Sequence, residues 1–233
     1  MRTVVCVLTL CGLSFGASTA GQEITRNQIS GFRSEGVGLV ATILRFSEEE
    51  KLPVAIEFID AKALRQPLSV ALGRMSIAQA LDTILRHAPL YHWRWQDGIL
   101  RITNENSLHG SNNLFDTVIP VFELKRKATV QEASVLLSMS LQNLISGSVN
   151  GYAGDFDPGD VRQSVGPVKL LHETVAEILS YIVVSSGAAA WLVTQPPDGL
   201  AKINQDGLWM IVQAWDSSHS SDSVLTAVAH NFR

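Results

Sequence analysis

The feature that most constrains the fold is a capped helix followed by a tight hairpin, which the chain contains twice. Ser76 with Gln79 forms the capping-box pattern that opens helices, and Thr174 with Glu177 repeats it 98 residues further along. Apolar residues at helical spacing follow each pattern. This repetition predicts that one architecture is built twice along the chain.

Both predicted hairpins use the same turn. Asp97-Gly98 joins the strand patterns at 91–96 and 99–103, and Asp206-Gly207 takes the equivalent place after eleven additional residues in the second copy. Asp-Gly tolerates the positive φ that a two-residue hairpin turn requires. We therefore assign these four residues a structural role and do not treat the repeated phrase as a binding motif.

Further elements complete each copy. In the first, an apolar helical face at 37–49 precedes a strand pattern at 53–58, and alternating apolar residues at 68–72 indicate another strand. In the second, Thr129 with Glu132 forms a third capping box before a helix. The predicted fold class is α+β, with two tandem small helix-on-sheet units, each roughly helix, strand, strand, helix and hairpin.

Composition places the boundaries of these units. The first unit is predicted at 21–103 and a polar linker at 104–118. A second, divergent unit follows at 119–215. The remaining residues, 216–233, are a Ser-rich tail with a short amphipathic segment.

The N-terminal twenty residues are predicted to be a secretory signal peptide. Arg2 precedes an apolar run at 4–15, and small residues end the segment at Ala20. The run is shorter than the roughly 20 residues that a membrane-spanning helix needs. Cleavage near Ala20 predicts a periplasmic or secreted protein. Lipidation at Cys11 is the alternative, which the large Leu10 disfavours. Both cysteines lie in this segment, so we expect no thiol chemistry.

The charge balance bears on partners. Without Arg2, 17 Lys and Arg oppose 22 Asp and Glu. This acidic balance disfavours nucleic-acid binding, because the densest cationic cluster is Lys125-Arg126-Lys127. No apolar run after the signal reaches spanning length, so we expect no transmembrane segment in the mature chain.

Aromatic residues alternate along the first hairpin. Tyr91, Trp93 and Trp95 share one face of the predicted strand, and Arg94 lies on the other. We interpret the aromatic face as core packing beneath the helices. A platform for carbohydrate or peptide is the alternative.

Comparison of the outer faces of the two hairpins gives a candidate interface. Arg94 and Arg101 of the first copy correspond to Leu192 and Met210 of the second, so the polar face is replaced by apolar residues. An exposed patch of this kind is rare, so we expect it to be covered, either within the chain, by an envelope protein or by a second copy. The predicted interface residues are Leu192, Leu208, Met210 and Val212.

Sequence motifs for catalysis are missing. The histidines show no metal-binding spacing, and we find no Gly-x-Ser-x-Gly elbow and no phosphate-binding glycine loop. Asp155, Asp157 and Asp160 form a weak calcium candidate, but a solvated turn is the preferred interpretation. We therefore expect no cofactor and no catalytic residues, while a site assembled from distant residues stays open.

The order of elements resembles the short N-terminal domain of secretins and TonB-dependent transducers. Residues 54–58 and 76–85, with Trp93 and Asp97-Gly98, carry the resemblance. It implies a small α+β fold, a periplasmic address and work through contacts with other proteins. Members usually carry this domain ahead of a secretin region or an outer-membrane barrel. Neither is found within these 233 residues, so the channel functions are not carried over.

We therefore expect an exported, non-catalytic protein-interaction or assembly module. The alternative is a periplasmic hydrolase or small-ligand binder that acts on envelope material. A deep pocket with converging polar groups would favour this alternative, whereas flat sheets would favour the interaction module.

Overall fold

Helices and open sheets together give the chain an α+β fold, as predicted. The structure, a computed structural model, describes residues 26–57, 61–105, 114–144, 164–187, 190–194 and 209–213. We refer to residues 26–105 as the N-terminal half and to residues 114–213 as the C-terminal half.

The N-terminal half alternates short helices with strands. Its elements are β1 (Gln28–Ile29), β2 (Phe32–Val37), α1 (Leu39–Glu50), β3 (Val54–Glu57), α2 (Ala61–Arg65), β4 (Leu68–Leu72), β5 (Met75–Ser76), α3 (Ile77–Leu85), β6 (Tyr91–Gln96) and β7 (Ile99–Asn104). The predicted helix at 37–49 begins two residues late, because Val37 still pairs with Leu68 between β2 and β4. The predicted helix from Ser76 ends at Leu85, ahead of the turn that contains Pro89.

The C-terminal half also contains both strands and helices. A short 3-10 turn (Leu114–Asp116) precedes β8 (Val118–Leu124), β9 (Ala128–Thr129), α4 (Val130–Leu144), β10 (Ser164–Val165), β11 (Val168–Thr174), α5 (Val175–Ser186), β12 (Ala190–Thr194) and β13 (Trp209–Gln213). The repeated order of elements predicted a strand before the second capped helix, where β11 lies, whereas β2 and β8 were not predicted. These strands form two antiparallel ribbons, β2 with β4 and β8 with β11.

The largest sheet joins both halves. Its strand order is β13-β12-β3-β7-β6, so β3 of the N-terminal half lies between the two hairpins. Strand β3 is parallel to both β7 and β12, with Ile56 opposite Ile102 on one side and Leu192 on the other. The prediction of two separate tandem units is therefore not confirmed in that form, because one sheet contains both hairpins.

The two faces of this sheet carry two cores. Val54, Ile56, Leu100 and Ile102 pack with α1 and α3 in the first core. Ala55, Ile99 and Trp191 pack with α4 and α5 in the second. Because strand side chains alternate between faces, each residue of β3 faces one core or the other. The result is a sheet covered by helices on both sides.

The outer face of the first hairpin, which the sequence marks as polar, is only partly open to solvent. His92 and Arg94 on β6 are exposed. On β7, Arg101 and Thr103 are each 6% exposed and Ile99 is fully buried, because the second core covers this part of the face. Phe115, inside the segment predicted as a polar linker, is also fully buried and stacks on Trp191, with ring centroids 5.9 Å apart. Residues 114–116 therefore contribute to the second core.

Capping boxes and a tight turn fix the local geometry as predicted. The hydroxyls of Ser76 and Thr174 accept from the backbone N–H groups of Gln79 and Glu177, and both reciprocal bonds are present. In the first hairpin, Asp97 and Gly98 have φ of 53° and 80°, the left-handed values that a two-residue turn requires.

Candidate interaction site

The β6 strand ends the five-stranded sheet and has one unpaired edge within the described part of the chain. In an antiparallel hairpin, alternate residues direct their backbone groups toward the partner strand and away from it. Gln96 and Ile99 flank the two-residue turn and form a hydrogen-bonded pair. Because such pairs recur at every second residue, Arg94 and His92 also direct their backbone groups toward β7. The backbone groups of Trp93 and Trp95 therefore point away from β7, toward the open edge.

The chain entering β6 is held by backbone hydrogen bonds. The N–H of Tyr91 donates to the carbonyl of Ala88 at 2.9 Å, and the N–H of Glu105 donates to the carbonyl of Leu90 at 2.7 Å. At the same end of the hairpin, the His92 ring lies 3.2 Å from the Glu105 carboxylate. The start of the edge strand is thus anchored on both sides.

Side chains of β6 tie the strand to helix α3. Tyr91 is buried in the first core, and Trp93 and Trp95 pack against it while half-exposed. The Trp93 indole Nε1–H donates to Asp82 Oδ1 on α3 at 2.7 Å. The aromatic face is therefore core packing, as preferred from the sequence, and it holds the open edge at a fixed distance from the helix.

Between this edge and α3 lies a shallow depression of about 330 Å³. It is lined by Asp82 and Leu85 of the helix, by Pro89 of the turn, and by Tyr91, His92 and Trp93 of the strand. We call this surface the edge depression. It places carboxylate, imidazole and indole groups beside the unpaired backbone of β6.

A second concavity, of about 290 Å³, adjoins the first and shares Pro89 and Tyr91 with it. We call it the Leu90 groove. Its apolar floor is formed by Leu39, Ala63, Leu68 and Tyr91, and its other lining residues are Lys62, Gln66, Pro67, His87, Ala88, Pro89 and Leu90. Leu90 is 44% exposed. The groove thus combines a buried apolar floor with a rim that includes Lys62, Gln66 and His87.

On the opposite face of the sheet, the Arg101 guanidinium forms a buried ion pair with Glu57. The Arg101 Nε–H donates to Glu57 Oε1 at 3.1 Å, and a second guanidinium nitrogen contacts the same oxygen. Burial raises the pKa of Glu57 above its ordinary value, and Arg101 opposes this rise. Both partners belong to the N-terminal half, on the sheet face that carries the second core, and their burial leaves little access for a ligand.

Two more carboxylates lie at the N-terminus of α5, where the backbone N–H of Thr174 donates to Glu177 at 2.7 Å. This bond lowers the pKa of Glu177, and the positive charge of Arg101 contributes. Burial, together with Glu177 itself, raises the pKa of Glu173. The arrangement is that of a helix cap, because Glu177 accepts from the N–H of Thr174 and the Thr174 hydroxyl accepts from the N–H of Glu177.

The predicted interface residues are only partly described. The backbones of Leu192, Met210 and Val212 lie in β12 and β13, whose end strand is the second edge of the sheet. Their side chains lie outside what the structure describes, as do Leu208, Asp206 and Gly207. In the same strand as Leu192, Ala190 packs in the first core and Trp191 in the second. The prediction that this surface is an interface stays a prediction.

The weak calcium candidate, Asp155, Asp157 and Asp160, also lies outside the described residues. Within the ranges that are described, no group of three or more His, Cys, Asp or Glu could hold a metal ion. Nor does any helix there have the length and apolar character needed to cross a membrane.

Sequence reasoning missed both the open edge and the groove. The edge depends on which strand ends the sheet, and the groove gathers residues from three separated segments around Leu39, Lys62 and His87. A sequence signal was available only for the buried ion pair. Alternation along Val54–Glu57 places Glu57 and Ile56 on opposite faces of β3.

Comparisons with protein-family models, with curated proteins and with solved structures found no match.

Proposed function

We propose that this chain is a non-catalytic interaction module that receives an extended segment of a partner protein along the open edge of β6. The observation that carries the proposal is the position of Trp93 and Trp95, whose outward backbone groups end the sheet beside the edge depression. The proposed partner is an envelope protein, and the proposed place of action is the periplasm after removal of the signal peptide.

Strand addition suits this edge for two reasons. Backbone hydrogen bonds to an unpaired strand supply affinity, and pockets for alternate side chains supply selectivity. The edge depression offers such a pocket, and its lining includes Asp82 of α3 and Trp93 of β6. Soluble proteins commonly protect an open edge with a bulge, a proline or an inward-facing charge. Strand β6, with the sequence YHWRWQ, contains no proline, and its register with β7 is regular.

The cellular part of the proposal rests on the sequence. The N-terminal segment has the signal-peptide pattern, and the order of elements resembles the short N-terminal domain of secretins and TonB-dependent transducers. That resemblance supports a role in contact with other envelope proteins. An assembly role for the predicted interface at Leu192, Leu208, Met210 and Val212 belongs to the same proposal.

A proline substitution on the edge tests the proposal. Trp95→Pro removes the outward N–H without breaking a hydrogen bond to β7, and Trp95→Thr, its matched control, loses the same ring but keeps the N–H. Both mature proteins are immobilised and used to capture partners from an envelope extract. We expect the partner held by the wild-type protein to be retained by Trp95→Thr and lost by Trp95→Pro.

Melting temperatures of the two variants exclude unfolding as the cause of loss. If both variants have similar melting temperatures and capture the same partner equally well, the edge of β6 is not the binding surface. Loss in both variants would assign recognition to the Trp95 ring and would also contradict strand addition.

A further inference from the structure

We infer that the Leu90 groove binds one apolar side chain and an adjoining carboxylate of the segment that pairs with β6. This inference rests on the proposed function and names the partner chemistry: an extended segment in which a large aliphatic residue is next to Asp or Glu. Three features of the groove support it, and each concerns a different part of the surface.

The first feature is continuity with the open edge. Pro89 and Tyr91 line both the edge depression and the groove. Strand β6 begins at Tyr91, so a segment paired with β6 that continues past this residue passes the turn at Pro89 and Leu90. Beyond that turn, the next concave surface is the groove. A partner segment that extends past the start of β6 therefore lies next to the groove.

The second feature is the floor. Leu39, Ala63, Leu68 and Tyr91 are between 4% and 8% exposed, because they also belong to the first core. The floor is thus formed before any partner binds. A volume of 290 Å³ corresponds to roughly ten water molecules. Replacing that water with a Leu side chain buries apolar surface against apolar surface.

The third feature is the charge of the rim. Lys62 and His87 lie at the rim with the amide of Gln66, and no carboxylate is found among the described lining residues. The whole chain has the opposite balance, with a net charge of −4. An approaching carboxylate therefore meets a locally favourable potential at the groove within an acidic protein. Lys62, as a flexible ammonium group, suits a single carboxylate.

Titration with small peptides, followed by amide NMR shifts of the labelled mature protein, tests the inference. The probes are N-acetyl-Leu-Asp-amide and its neutral counterpart N-acetyl-Leu-Asn-amide. For ligands of this size we expect a Kd of about 1 mM for the acidic probe. The neutral probe should bind about two- to fivefold more weakly, because it lacks the charge that meets the exposed Lys62. Shifts should centre on Lys62, Gln66, His87 and Leu90.

Charge reversal identifies the responsible side chain. Lys62→Glu should weaken the acidic probe at least about fivefold and leave the neutral probe unchanged. Lys169→Glu is the matched control, because Lys169 is an exposed lysine on β11, away from the groove. Both variants change the net charge equally, so an effect of net charge alone would be the same in each.

Four results would overturn the inference. They are equal binding of the two peptides, shifts centred elsewhere, an unchanged affinity in Lys62→Glu, and tighter binding of octanoate than of the acidic peptide. The last result would assign the groove to free apolar acids. Partner capture by Trp95→Pro tests the proposed function independently of peptide binding to the groove. Peptide binding with undiminished capture by Trp95→Pro contradicts the proposed function, whereas lost capture without peptide binding contradicts only the groove inference.

Discussion

Both faces of the shared sheet are buried along β3 and β7, but one face is apolar and the other contains an ion pair. On the first face, β3 and β7 present Val54, Ile56, Leu100 and Ile102 to helices α1 and α3, and every one of these side chains is fully buried and apolar. On the second face, the same two strands present Ala55, Glu57, Ile99 and Arg101. That face is equally covered, yet an ion pair occupies its centre.

The difference shows that polar side chains on a strand do not identify a solvated face. Arg101 and Glu57 satisfy each other inside the molecule, where the C-terminal half covers them. A buried ion pair need not add net stability over an apolar pair, because both charges lose hydration. It does require both partners to be present, which makes the second face more sensitive to single substitutions.

Removing one partner of the ion pair should have the largest effect. Arg101→Met leaves the Glu57 carboxylate buried and unpaired, so we expect the free energy of unfolding to fall by about 3–5 kcal/mol. The matched double variant Glu57→Leu/Arg101→Met should be close to wild type or more stable. Urea unfolding of the three proteins measures both values. A loss below about 1 kcal/mol in Arg101→Met would place the pair in contact with water.

The stability loss caused by Arg101→Met should depend on pH. Burial already raises the folded-state pKa of Glu57 above its ordinary value, and Arg101 is the main group that opposes the rise. A carboxyl with a raised pKa favours the folded state while protonated, and this contribution is lost as the pH rises through the folded value. Arg101→Met should therefore be less destabilised at about pH 4 than at about pH 8. A pH-independent loss would contradict this account.

Truncation of one isoleucine on each face compares the packing of the two cores. Ile56→Ala and Ile99→Ala each remove a fully buried side chain, one from the first core and one from the second. We expect each to cost about 2–5 kcal/mol in thermal or urea unfolding. Arg94→Ala, on exposed β6, should stay within about 0.5 kcal/mol of wild type. A small loss for Ile99→Ala alone would show that the second face is loosely packed.

Exchange of the capping groups compares helices α3 and α5 and should have the smallest effect. Glu177→Gln makes the second capping box like the first, so we expect a loss of roughly 0.5–1 kcal/mol near neutral pH. The pKa of Glu177 is lowered mainly by the backbone N–H of Thr174, so its stabilisation is present above the ordinary pKa and lost as the pH falls through the lowered one.

Glu173 reduces the effect of this exchange, because Glu177 helps to raise its pKa. The reciprocal variant, Gln79→Glu, should gain a similar amount of stability near neutral pH. Chemical unfolding at several pH values measures both changes. No difference between Glu177→Gln and wild type at neutral pH would mean that an amide caps α5 as well as a carboxylate does.

Local features of the fold could be predicted because they depend on neighbouring residues. Three capping boxes, at Ser76, Thr129 and Thr174, lie where the sequence placed them, and the Asp97-Gly98 turn has the expected geometry. Strands β2 and β8 were missed. In β8, Pro120 and Val121 are both exposed, so the alternation that marks a half-buried strand is broken.

The candidate site was beyond the reach of local patterns. An open edge exists only after the strand order is known, and the order places β3 between two hairpins that are distant in sequence. The Leu90 groove likewise needs α1, α2 and the turn after α3 to meet. The interaction surface that the sequence did suggest, around Leu192 and Met210, stays a prediction.

By itself, the sequence determined where the three helices with capping boxes begin, where the first hairpin turns and which residues alternate along a strand. Capping, left-handed φ and side-chain periodicity each depend on only a few neighbouring residues. Tertiary structure alone decided which face of each strand was covered. Arg101 can face water or Glu57 with the same local pattern, and only the docking of the C-terminal half on the sheet selects the buried ion pair.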